Sequence, residues 1–148
     1  MKIAIASDHA GFELKQNIME FFKENDEVEL VDYGVSSPTS TDYPDHGFKA
    51  AVAVSQKKCE RGILICGSGL GMSIVANKVK GIRAALCHTE KSAKLSRNHN
   101  NANILVLAGR FIAKYLAFDI IEVWLNTEFE GGRHQRRIAK IDNFEKNK

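Results

Sequence analysis

An α/β architecture, with helices on both faces of a parallel sheet, follows from two observations. Short runs rich in Ile, Val and Leu recur five times, and stretches of helical periodicity separate them. The first strand is predicted over Lys2 to Ser7, stopping at Asp8. In the helix after it, Leu14, Ile18, Phe21 and Phe22 make an apolar stripe, with Phe12, Lys15 and Met19 on another side. Val28 to Tyr33 form the second strand. Gly34 to Gly47 then hold both prolines and a dense turn run, Ser36 to Pro44, which predicts one long loop, either functional, with Tyr43 at a pocket mouth, or a solvated connector. Gly62 to Cys66, Ile82 to Cys87 and Asn103 to Ala108 complete the strands, each bounded by Gly, Asp, Asn or Ser. Ile112, Leu116, Ile120 and Val123 form the buried stripe of a later helix. Right-handed crossovers make such a chain a three-layer α/β/α fold with a five-stranded parallel, Rossmann-like (flavodoxin-like) sheet. The order of strands four and five stays open.

Composition excludes several function classes. The 148 residues suit one domain, residues 1–148, able to bury roughly 68 to 70% of the surface its unfolded form exposes. Such a core needs no metal or disulfide. Cys59, Cys66 and Cys87 form no C-x-x-C pair, and the opening MKIAIASDHAG lacks the long apolar region of a signal peptide, so a reduced, cytoplasmic protein is expected. No apolar run approaches the ~18 residues of a membrane span, which excludes a membrane role. The net charge of +3 is spread over 21 basic and 18 acidic residues, and nucleic-acid binding needs a concentrated basic face.

The chemistry gathers at one turn. The run Ile63-Leu64-Ile65 ends in Cys66, and Gly67, Gly69 and Gly71 then alternate with Ser68 and Leu70. Glycine lets a ligand approach the main chain, and the following helix offers unpaired N–H groups, so an anion can sit beside the thiol. Cys66 by itself reads equally well as a small core residue, and Ser68 as a helix cap. Met72 stands where a dinucleotide fingerprint needs glycine, and no Gly-Lys-Ser/Thr follows, so nucleotide binding is unsupported. Ligands of parallel sheets collect at the carboxyl ends of strands, which groups Asp8, His9, the 66–71 turn, His88 and Arg110.

Taken together, Ser7-Asp8-His9 with Gly11, Thr41-Asp42-Tyr43-Pro44, Ile65 to Gly71, Ala76-Asn77-Lys78, Ser92 to Arg97, His99-Asn100 and Gly131 to His134 with Arg137 make a specific pattern over almost the whole chain. In it the chain resembles the type B ribose-5-phosphate isomerases, a family that includes allose- and galactose-6-phosphate isomerases. The resemblance implies aldose–ketose isomerisation of a sugar phosphate through an enediolate, as in the non-oxidative pentose phosphate pathway, with no metal or other cofactor. It makes Cys66 the base, and Cys66 with Met72 places the chain in the cysteine branch. An unassisted thiol is only about a few per cent thiolate at neutral pH, so neighbouring donors are expected. Ser68 and the amides of Gly67, Gly69 and Gly71 would serve the sugar oxygens.

His99 would open the sugar ring, with Asp8 and Asn100 beside it. His9, Arg133 and Arg137 would bind phosphate, and Arg110, His99 and Asn100 would come from a second subunit of a homodimer or dimer of dimers. Arg136 and His46 are read as solvated, His134 as structural or supporting, and His88 as bordering the pocket without doing chemistry. Two rivals remain: a six-carbon sugar phosphate as substrate, or a non-catalytic module that binds a phosphorylated ligand.

Overall fold

The computed structural model describes residues 1–147. Its strands are β1 (Lys2–Ser7), β2 (Glu29–Asp32), β3 (Arg61–Cys66), β4 (Ala84–Leu86) and β5 (Ile104–Ala108). Its helices are α1 (Phe12–Phe21), α2 (Tyr43–Ser55), α3 (Leu70–Asn77), α4 (Glu90–Asn100), α5 (Lys114–Asn126) and α6 (Arg133–Lys146), with a 3₁₀ turn at His9–Gly11. All pairings are parallel, in the order β2-β1-β3-β5-β4. The last two strands are exchanged relative to the flavodoxin order. That places β5 beside β3 and leaves β4, the shortest strand, on an edge.

Strand parity sorts the core into two layers, because successive side chains point to opposite faces. Ile3, Ile5, Ile63, Ile65, Leu105 and Leu107 meet α1 and α5 through Leu14, Ile18, Ala117, Ile120, Ile121 and Trp124. Ala4, Ala6, Leu64, Cys66, Ile104 and Val106 meet α2 and α3 through Ala50, Ala51, Val54, Met72 and Ala76. Alanines on both sides of that second layer let α2 lie close to β1. Cys66 therefore points toward α2 and α3, not toward α1.

Three expectations need correction. The long loop ends at Asp42, because Tyr43, Pro44 and Asp45 already form the first turn of α2, where proline lacks no needed N–H. In α1 the stripe is rotated: Lys15 is wholly buried and Phe21 is 45% exposed, stacked on Phe118 at 4.2 Å. In α5 the buried line is Ala117, Ile120, Ile121 and Trp124, with Leu116 and Val123 at its margin. Helix α6 was not anticipated, since only His134 and Ile138 of its fourteen residues are buried and no apolar stripe marks it.

Lys15 explains its own burial. Its Nζ donates to Asp32 Oδ2 at 2.5 Å and to Val35 O at 2.6 Å, tying α1 to the end of β2 and the start of the next loop. Asp32 Oδ1 also accepts from Gly34 N at 2.8 Å. A buried cation is tolerated only while paired. Asp32→Ala is expected to destabilise the fold by about 3 kcal/mol, read as a lower urea midpoint.

Candidate active site

The sheet reverses winding direction between β1 and β3, and ligand crevices open at such points beyond the carboxyl ends of the strands. Here that crevice is lined by Asp8, His9, Ala10, Tyr43, Cys66, Gly67, Ser68, Gly71, Arg110 and Phe111, around a cavity of about 290 Å³. Cys66 ends β3, with its carbonyl accepting from Gly109 N at 2.8 Å, while Gly67 O accepts from Arg110 N at 3.0 Å. The turn after β3 is thereby strapped to the end of β5. Gly69, at φ +77°, forms the N-cap of α3, and a Cβ there would stand 2.4 Å from Leu86 Cδ1. At Gly71 a Cβ would lie 2.7 Å from the Tyr43 ring, so the missing side chain makes room for that ring.

Asp8 is buried and its Oδ1 accepts from the amides of Ala10 (2.9 Å) and Gly11 (3.1 Å), capping the 3₁₀ turn. His9 Nδ1 lies against the Thr41 backbone, 3.2 Å from its N–H and 3.3 Å from its carbonyl, so that main chain fixes the ring. The Ser68 hydroxyl accepts from Leu70 N at 3.3 Å. It thus serves the first turn of α3, one residue before the cap itself. Among the described residues no hydrogen bond reaches Cys66 Sγ, so the expected donors to the sulfur are not supplied by this chain. His88 is exposed and lies outside the pocket lining. His46 is not a solvated loop residue: it lies on α2, half-buried, with Nε2 3.1 Å from Thr41 Oγ1.

The other expected residues form a second cluster outside that crevice, at the far end of α4 from the carboxyl end of β4. Helix α4 starts just after β4 and runs back for 11 residues, roughly 16 Å at 1.5 Å per residue. Its last turn holds His99 and Asn100, and Asn100 O accepts from Arg83 Nε at 3.0 Å, just ahead of β4. The His134 ring stacks on His99, with centroids 4.2 Å apart and planes 10° from parallel. Arg133 and Arg137 occupy the same end of α6, as does the exposed Arg136. The segment before α6 is fixed to α4: Asn98 Nδ2 donates to Glu128 O at 3.0 Å, and Glu130 N to Asn98 O at 3.1 Å. Within one chain, then, Asp8 is not beside His99, and His9 is not beside Arg133 and Arg137. Arg110 belongs to the Cys66 pocket, its Nη1 3.3 Å from where a Gly67 Cβ would be, and so is not a residue that a second subunit must bring.

Two residues outside the expected set organise this second cluster. Arg97, buried, donates to Ala102 O at 2.6 Å and Asn101 Oδ1 at 2.8 Å, and with Arg61 it lies against the Trp124 ring. Burial, then the nearby Arg61 charge, lowers the Arg97 pKa to about 10. Asn77 bonds both the N–H (2.9 Å) and the carbonyl (3.0 Å) of Ala84, imitating a strand neighbour on the edge of β4. Both stand in the motifs quoted above, where only their regularity was visible. Burial first, then the charges of His99 and Arg133, holds the His134 pKa below the ordinary histidine value.

The three cysteines are free and buried. Burial pushes the thiols of Cys59 and Cys87 up, whereas Cys66 borders the crevice. Iodoacetamide is therefore expected to alkylate Cys66 first in the folded protein and the other two only after unfolding, as peptide mass spectrometry would resolve; equal labelling of all three would contradict this geometry.

Residues 3–141 match the sequence profile of the Ribose/Galactose Isomerase family. A ribose-5-phosphate isomerase B of Clostridium thermocellum is 52% identical, with a TM-score of 0.96 over 99% of each chain. The Mycoplasma genitalium ribose-5-phosphate isomerase B, solved with bound ribulose-5-phosphate, is 46% identical with a TM-score of 0.94 over 99% of this chain and 97% of that one. A putative sugar phosphate isomerase of Bacillus subtilis is 51% identical over 98% of this chain and 97% of its own. With its parallel sheet, its cysteine-ended third strand and these likenesses over nearly its full length, the chain belongs to the Ribose/Galactose Isomerase family.

Proposed function

We propose that this chain is a ribose-5-phosphate isomerase, converting the aldose ribose 5-phosphate and the ketose ribulose 5-phosphate into one another. One observation carries the reading: a cysteine stands at the open end of β3 in a crevice shared with Asp8, His9, Ser68 and Arg110, in a chain of this family. Residues 1–148 act as one sugar-phosphate isomerase domain in the cytoplasm. No helix among the described residues is long and apolar enough to cross a membrane, which agrees with that location.

In this mechanism Cys66 removes the proton from the carbon beside the sugar carbonyl. The resulting enediolate carries its charge on oxygen, and the amides of the 67–71 turn are the preorganised donors that meet it. The Ser68 hydroxyl assists the proton on the sugar oxygens. His9 and Arg110 take the phosphate, so that binding far from the reacting carbon holds it against the sulfur.

The division of the expected residues between two clusters points to a shared site. One chain carries the Cys66 crevice beyond the carboxyl ends of β1 and β3, and His99, Asn100, Arg133 and Arg137, at the last turn of α4 and the start of α6, do not line it. A two-fold pair joins each crevice to the complementary cluster, because an isologous interface uses the same two surfaces twice. His99 of the partner subunit then opens the sugar ring beside Asp8, Asn100 of the partner subunit holds a hydroxyl, and the partner's Arg133 and the partner's Arg137 complete the phosphate site.

Purified protein in EDTA should form ketose from ribose 5-phosphate, with kcat/KM higher than for allose 6-phosphate; binding without turnover of any aldose phosphate would favour the ligand-binding module instead. Cys66→Ala should abolish kcat with substrate affinity little changed, and Arg137→Ala should chiefly raise KM. Mixing inactive Cys66→Ala and His99→Asn subunits should restore about a quarter of wild-type activity, since half the dimers are mixed and each has one intact site. No recovery after verified subunit exchange would place all catalytic groups in one chain.

A further inference from the structure

We propose that His99, Glu130 and His134 form a site for a divalent transition-metal ion of the Zn²⁺ class, and that filling it switches the isomerase off by taking His99 as a ligand. The three side chains each offer one ligand atom, all within 4.8 Å of one another. His134 Nε2 lies 3.5 Å from Glu130 Oε2, close to the separation of about 3.4 Å between two ligands of a tetrahedral zinc ion.

His134 is 6% exposed, yet its Nε2 has no hydrogen-bond partner. A buried polar atom without a partner is uncommon and requires an explanation. Here it faces a carboxylate and a second imidazole, and two imidazoles with one carboxylate are the donor set of a zinc site that keeps one position open. Hard cations such as Mg²⁺ and Ca²⁺ prefer oxygen ligands and fit this set poorly.

The backbone that presents these groups is already in place. Glu130 N is held by Asn98 O on the helix that carries His99. Gly131 and Gly132, at φ +69° and +54°, then turn the chain so that Glu130 and His134 face each other across the start of α6. Two features set the character of the site. The rings are parallel, so closure on one ion requires the His99 ring to swing, which a half-buried residue on the last turn of α4 can do. The charges of Arg133 and Arg137 bear on His134 and oppose a dication, which makes the site a reversible one, weaker than a closed structural zinc centre.

The inhibitory consequence rests on the role of His99 proposed above; the binding itself does not. Titration of the full chain with Zn²⁺ against a chromophoric chelator should show one ion per chain, retained in Cys66→Ala and weakened roughly tenfold or more in Glu130→Gln and His134→Ala. Glu130 is exposed, so its variant should fold, isomerise normally and resist Zn²⁺, whereas wild-type turnover should fall with Zn²⁺ and return with EDTA. Absence of binding, binding unchanged in Glu130→Gln, or binding lost in Cys66→Ala would overturn the site. Binding at these residues without inhibition of an active enzyme would overturn the switch. A metal-free protein that turns over no sugar phosphate, yet binds Zn²⁺ through Glu130, would refute the isomerase reading and leave the metal site standing.

Discussion

Parallel pairing of β1 with β3 is the constraint on which the chemistry depends. It brings Ser7 level with Ile65, so that Asp8 and Cys66 leave the sheet side by side. Strand parity then turns Cys66 toward α2 and α3, where Tyr43 and the glycine turn stand, and away from the large apolar side chains around Trp124. A shift of one residue in β3 would send the sulfur to the other face, because side chains alternate with a period of two. The position proposed for the base is therefore secured by the same pairing that builds the core.

Polar groups around this frame hold its connections in place. Lys15 joins α1 to the loop after β2, and near the end of that loop the Thr41 backbone fixes the His9 ring. Arg97 and Arg61 bind carbonyls at the ends of α4 and α5, which steadies the helix end that carries His99. Asn77 closes the edge of β4. The buried cations Lys15 and Arg97 are satisfied by hydrogen bonds, which is the condition for keeping charge away from water. These residues touch no proposed reacting atom, and they determine where such atoms stand.

The separation of the expected residues into two clusters bears on assembly as well as on chemistry. The proposed division of the active site between subunits would couple catalysis to assembly, so that dilution and interface changes would act on turnover as well as on stability. It also leaves His99 and His134 together in each separate chain, stacked and close to Glu130. A group of that kind is accessible to chemistry other than sugar isomerisation.

Much of this was legible in the residues. Apolar runs with their bounding glycines and asparagines located all five strands, because a strand buried on both faces leaves a continuous hydrophobic mark. The turn after β3 was readable from Cys66 and its alternating glycines, since few residue types allow so close an approach to the main chain. Helix α6 left no such mark, its buried face being only His134 and Ile138. The burial of Lys15 could not be read either, because its partners, Asp32 and Val35 O, lie 17 and 20 residues further along the chain. The amino-acid sequence by itself thus determined the class of fold, the cysteine turn and the set of polar residues to be placed. Only the tertiary structure decided which of them share an edge of the sheet, because the direction in which α4 and α5 run back across it carries His99 and Arg133 to one end and leaves Cys66 with Arg110 at the other.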